Sequence, residues 1–105
     1  METIKVGDTI YDIAVDAISK EAVMMEQKVL CVGELSVFAS GKCATWGSVY
    51  ESSFRKANKD SFNREHFVKN PTTTFLWTDN REKAERYVSE MNKILNMMQK
   101  LLKAG

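Results

Sequence analysis

Cys31, Cys43 and His66 are the only soft or imidazole side chains in this chain of 105 residues, so any nucleophilic or metal chemistry would centre on them. Cys43 and His66 could meet as thiol and base, with an acid such as Asp60 orienting the imidazole. Nothing local around Cys43 suggests an activated thiol. Nor do three ligands without a C-x-x-C or H-x-x-x-H pair have the spacing of a zinc site. Gly33, Gly41 and Gly47 are isolated turn glycines and cannot form a phosphate-cradling loop. The carboxylates Asp12 and Asp16 share one face of an alternating segment, which reads as a solvated strand face. The expectation is a protein that is not an enzyme and needs no metal or cofactor, with Cys31 in the core and Cys43 in a loop.

A second cluster has different chemistry. Between Phe54 and Lys69, the cations Arg55, Lys56, Lys59, Arg64 and Lys69 interleave with Phe54, Phe62, His66 and Phe67. Cations among rings are what single-stranded nucleic-acid binders use, the charges for phosphate and the rings for base stacking. Asp60 and Glu65 dilute the patch, and the alternative is a solvated loop whose phenylalanines anchor it to the core.

The element with the plainest sequence pattern runs from Thr78 to Lys103. Ala84, Val88, Met91, Leu95, Met98 and Leu102 recur at steps of four and three, the spacing of heptad a and d positions. Tyr87, Ile94 and Leu101 widen the stripe. A helix of about 25 residues is roughly 37 Å long, against a radius of gyration of about 13 Å for a domain of this size. Part of the stripe should therefore need a second chain. Tyr87, Val88, Met91, Leu95, Met98 and Leu102 become the expected contacts of a homodimer, and methionines suit an adaptable surface. Thr78 or Asp79 can cap the helix, and Asp79 with Glu82 has capping-box spacing.

Ahead of the helix the chain reads as strands. Ile4–Asp8 predicts a short strand and turn. Thr9–Asp16 alternates with Tyr11, Ile13 and Val15 on one side; a helical spacing also fits, but β-branched and aromatic residues favour strand. Ser19–Glu21 is a hairpin break, Val23–Gly33 a longer strand with an all-apolar Val29–Val32 centre, and Leu35–Ala39 a third strand. Ser40–Lys42 reads as a turn and Trp46–Tyr50 as a further short strand. At Glu51–Ser53 the texture changes to a basic insertion over 54–70, in which Ser61 could cap a short helix. Pro71 ends the insertion, and Thr72–Trp77 is strand by propensity. The expected architecture is one α+β domain over residues 1–105. It has a small twisted antiparallel sheet of three to five strands within 1–77, with barrel-like closure as one option, and one long helix over 78–103.

Two stretches also carry a resemblance. Lys5-Val6-Gly7-Asp8-Thr9-Ile10-Tyr11 resembles the K-V-G-D-x-V-Y opening of small uncharacterised proteins encoded by phages and prophages. Phe75–Glu85 is similar to their F-x-T-x-x-E-A-E strand-to-helix junction. The resemblance implies a twisted sheet followed by a helix and brings no catalytic residue with it. On that reading the protein is an interaction module that binds or inhibits a host or defence protein.

Composition bounds the rest. Apolar residues are 44% and charged residues 28%, the balance of an ordinary globular domain. Net charge is +1, but residues 1–50 carry seven acids and four bases while 51–105 carry seven acids and eleven bases. Without a secretory h-region or a membrane-length apolar run, the expected location is the cytoplasm, with free thiols.

Overall fold

The alternation of Thr9–Asp16 shows how the molecule is layered, because both faces of that strand end up covered. A computed structural model of the chain describes residues 3–42, 49–71 and 76–104. The strands are β1 (Thr9–Val15), β2 (Ala22–Val32), β3 (Ser36–Lys42), β4 (Val49–Arg55) and β5 (Leu76–Thr78). They form one antiparallel sheet in the order β4-β3-β2-β1-β5, curled into a half-barrel. A 3-10 turn (Lys56–Asn58) and a short helix α1 (Arg64–Lys69) separate β4 from β5, and a 24-residue helix α2 (Arg81–Ala104) follows. The α+β architecture expected from the sequence is the one observed.

Two apolar clusters occupy the two faces of the sheet. On the outer face Ile13, Ala22 and Leu76 pack with Ala84, Met91, Ile94 and Leu95 of α2 and with Phe67 of α1. Tyr11, Val15 and Met24 extend this layer, as period two requires. On the inner face Ile10, Val29, Val37, Ala39, Phe54 and Trp77 form a second core inside the curl. The curl is assisted by a bulge in β2, where the register with β3 shifts between Val29 and Cys31. The extra residue reverses strand parity, so Val29 and Val32 both face the inner core although they are three apart.

The half-barrel is drawn together at one end. Trp77 donates its indole Nε1–H to Arg55 O at 2.9 Å, and Asp60 N–H donates to Trp77 O at 3.0 Å. Lys59 and Trp77 make an isolated parallel bridge, so the chain just after β4 meets the outer edge of β5.

Several boundaries differ from expectation. Residues 3–5 form no strand; Val6–Gly7 is a turn, with Gly7 at φ +95° and its N–H bonded to Val29 O at 2.9 Å. Ser40–Lys42 continues β3 rather than turning, because all three residues pair with β4. Phe54 and Arg55 belong to β4, so the basic insertion starts at Lys56. The Val29–Val32 centre is not covered on both faces: Cys31 is exposed, not a core thiol, because the bulge turns it outward opposite Phe38. Asn63, not Ser61, caps α1 by accepting from His66 N–H at 3.0 Å. Helix α2 starts at Arg81 because Thr78 is still paired with Tyr11 in the sheet. Asn80 takes the capping role, its Oδ1 accepting from Lys83 N–H at 3.1 Å. Cys43, Trp46 and the Thr72–Phe75 part of the expected strand lie outside the described residues.

Candidate functional site

The residues 54–70 owe their path to their rings. Phe54 sits in the inner core and Phe67 is fully buried under α2. Phe62 stacks on Tyr87 with centroids 5.6 Å apart and tilts against Phe67 at 6.1 Å. Phe54 and Phe67 therefore anchor the segment and are not free to stack on bases. The cations are partly engaged as well: Lys59 pairs with Asp79 at 2.7 Å, Arg64 with Glu90 at 3.6 Å, and Lys56 Nζ donates to Gly33 O at 2.6 Å. Arg55 and Lys69 are exposed on separate elements. The structure thus gives three of the five expected nucleic-acid contacts local partners, leaves Arg55 and Lys69 exposed, and buries Phe54 and Phe67 in the two cores.

Cys43, the thiol of the Cys43–His66–Asp60 grouping, lies outside the described residues. His66 is exposed on α1. Asp60 is turned into the fold at φ 59°, its carbonyl accepting from Tyr87 Oη at 3.1 Å and its carboxylate lying 3.7 Å from Lys83 Nζ. No group of three or more His, Cys, Asp or Glu gathers among the described residues to hold a metal.

The stripe of α2 divides in two. Met91 is fully buried and Leu95 is 9% exposed, while Tyr87, Val88 and Met98 are partly buried against the same cluster. Asn92 fixes the helix to the sheet, accepting from Ala22 N–H at 2.8 Å and donating to Ala22 O at 3.3 Å. Ile94 and Leu95 are still buried one turn further on, and the exposed apolar residues come after them: Met97 is 56%, Leu101 72% and Leu102 80% exposed. Of the six expected interface residues, Met91 and Leu95 are core and Leu102 is open. Among the described residues the helix packs mainly on β1, β2 and β5 rather than on β3 and β4. Leu30 and Phe38 are half-exposed, with Leu35 exposed in the adjoining turn.

The inner face holds a group that sequence reasoning assigned to solvent. Asp12 shares strand parity with Ile10, so the curl that buries Ile10 buries Asp12 as well, leaving it 6% exposed. It lies in register between Trp77 on β5 and Met25 on β2. Gln27, 2% exposed, donates from Nε2 to Asp12 Oδ2 at 3.3 Å. Opposite Gln27 in β3 stands Gly41, where a Cβ would come within 2.7 Å of Gln27 Cγ and 2.9 Å of Glu26 O. The absence of a side chain there gives Gln27 its place. Asp12 Oδ1 is buried without a hydrogen-bond partner. Burial penalises the ionised carboxylate and pushes the Asp12 pKa up to about 6. Asp12 lines an open cavity of about 450 Å³ with Ser52, Ser53, Phe54, Arg55, Asn58 and Trp77. The one available signal was parity: Gln27 falls in step with Val29, a polar residue at a core position of β2.

Comparison with protein-family models, with curated proteins and with solved structures finds no match. Among the described residues no helix is long and apolar enough to cross a membrane.

Proposed function

We infer that the protein is a non-enzymatic interaction module that pairs with a second copy of itself and leaves its remaining surface to a protein partner. The supporting observation is the open end of α2, where Met97, Leu101 and Leu102 follow directly on a stripe that is otherwise core. Area decides what could cover that end. The patch is on the order of 300–400 Å², as large as the main apolar patch of many monomers. Helix end against helix end would bury roughly 600–800 Å² in total, the size of a lattice contact. The exposed apolar residues Leu30, Leu35 and Phe38 offer a second patch of similar character. In a twofold pair each helix end would lie on the partner's sheet face, burying roughly 1,200–1,600 Å², which is the standard size of a stable interface. Such a contact is self-complementary, as twofold symmetry demands.

The test is a pair of charge insertions on the two patches. Leu102→Asp and Phe38→Asp should each abolish pairing with little change in unfolding free energy, since both positions are exposed in the single chain. Loss of pairing by Leu102→Asp but not Phe38→Asp would replace the reciprocal arrangement with a helix-to-helix contact. Pairing unaffected by either would refute the assignment.

A further inference from the structure

Independently of how the chain pairs, the sheet ends in β4, a terminal strand bonded to β3 over seven residues with no break in register. Lys56 N–H donates to Leu35 O at 3.1 Å, which makes Leu35 and Lys56 a bonded pair. Bonded pairs alternate along an antiparallel ladder, so Phe54 bonds to Val37 and Ser52 to Ala39. Arg55, Ser53 and Glu51 therefore turn their N–H and C=O groups away from β3. The bond from the Trp77 indole to Arg55 O fits this parity. At the opposite end of the sheet, the outer edge of β5 is already met at Trp77 by Lys59 and Asp60. Among the described residues nothing pairs with the outward main-chain groups of Ser53 and Glu51.

We propose that this edge accepts an extended strand of a partner protein, antiparallel to β4, with an apolar residue opposite Ser52 and a lysine or arginine opposite Glu51. The inference rests on the reading of the protein as an interaction module, but not on its pairing through α2. In such strand addition the main chain supplies affinity, and pockets for alternate side chains supply specificity. On the inner side, Ser52, Ser53, Phe54 and Trp77 line the open cavity of about 450 Å³. The phenyl and indole walls suit an apolar side chain that arrives opposite Ser52. On the outer side, Glu51 is exposed and makes no ion pair among the described residues. A base directly opposite it on the added strand completes that charge.

The same charge argues against a second copy as the occupant. The Trp77 indole takes Arg55 O and closes the ladder there, leaving Val49–Ser53. Twofold pairing over that stretch centres on Glu51 and sets it directly opposite Glu51 of the second copy. Like charges directly opposite each other destabilise a strand pair. Glu51 thus guards the edge against the chain itself, as charges on edge strands commonly do, while admitting a strand that carries a base at that position.

The probes are acetylated and amidated peptides Thr-Thr-Ser-X-Z-Val-Thr, with X leucine, phenylalanine or methionine and Z lysine or arginine. They are titrated into the full chain, wild type and Leu102→Asp, while amide resonances and amide exchange are followed. Binding by both proteins is expected, which separates this test from that of the helix contact. At least one peptide should give saturable shifts with a dissociation constant of about 1 mM or tighter. The signature is alternation. With saturating peptide, exchange at Ser53 and Glu51 should slow by about tenfold or more, while Ser52 and Phe54, already bonded to β3, change little. N-methylation of Z removes a ladder N–H and should weaken binding at least about tenfold, whereas N-methylation of X, whose N–H points away, should weaken it far less. Glu51→Lys should weaken binding about threefold or more and should favour a peptide with glutamate at Z. Absence of saturable shifts with every peptide up to roughly 5 mM would overturn the proposal. Binding without the alternation in exchange would do the same. So would exchange at Ser53 and Glu51 that is slow in the free chain and quickens on dilution, which would give the edge to a second copy.

Discussion

Replacing Asp12 with asparagine should stabilise the protein at neutral pH, and the size of the gain follows from its surroundings. In the unfolded chain the carboxyl titrates near 3.8, whereas burial in the half-barrel raises it to about 6. Between those values the folded state holds the proton that the unfolded state has released, so stability falls as pH rises. The penalty is absent below about pH 4 and complete above about pH 7. A difference of about two units corresponds to about 3 kcal/mol at neutral pH. Asparagine keeps the shape and a hydrogen-bonding oxygen while removing the charge. The assay is urea unfolding of wild type and Asp12→Asn at half-unit intervals from about pH 4 to pH 8. Taking the difference between the two proteins removes the other titrating groups. The variant should be equal to or slightly less stable than wild type near pH 4, and more stable by about 1–3 kcal/mol near pH 7.5. A difference independent of pH would refute the reasoning, because it would mean Asp12 ionises as it does in water.

The remaining predictions probe the supports of each layer. Gly41→Ala forces its new methyl against Gln27 and the backbone of Glu26, and should cost roughly 1–3 kcal/mol in chemical unfolding. Met91→Ala empties a fully buried position under α2 and should cost about 2–5 kcal/mol, whereas Leu101→Ala at an exposed position should stay within about 0.5 kcal/mol. Asn92→Ala removes both bonds to the Ala22 backbone and should cost about 1–3 kcal/mol, with faster amide exchange at Ala22 than at Val29.

The long helix and the first three strands were readable because their apolar residues keep a period, and period survives any tertiary arrangement. The heptad spacing of α2 was equally clear, but it could not say where the sheet ends. Met91 and Leu95 look identical in pattern to Leu102, and only the packing on the sheet, which stops after Leu95, separates core from surface. The capping site slipped by one because Asp79 and Asn80 are both good caps. The choice fell to the pairing of Thr78 with Tyr11 and to the Lys59 ion pair that engages Asp79. Asp12 was misread for a deeper reason. Alternation identifies two faces but not whether the second is wet, and here the curl of the sheet turns that face into a core. The bulge at Leu30 helps to set the curl, and nothing in Val29–Val32 distinguishes a bulged strand from a straight one. The aromatic residues of the basic segment posed the opposite problem, since a ring that anchors a loop and a ring that stacks on a base have the same sequence.

The most direct test of self-association is the solution mass of the wild-type chain over a wide concentration series, by sedimentation equilibrium. Reciprocal pairing predicts a mass that rises with concentration from 12.0 kDa toward twice that value and returns to 12.0 kDa in Leu102→Asp. A mass fixed at 12.0 kDa across the series would contradict it.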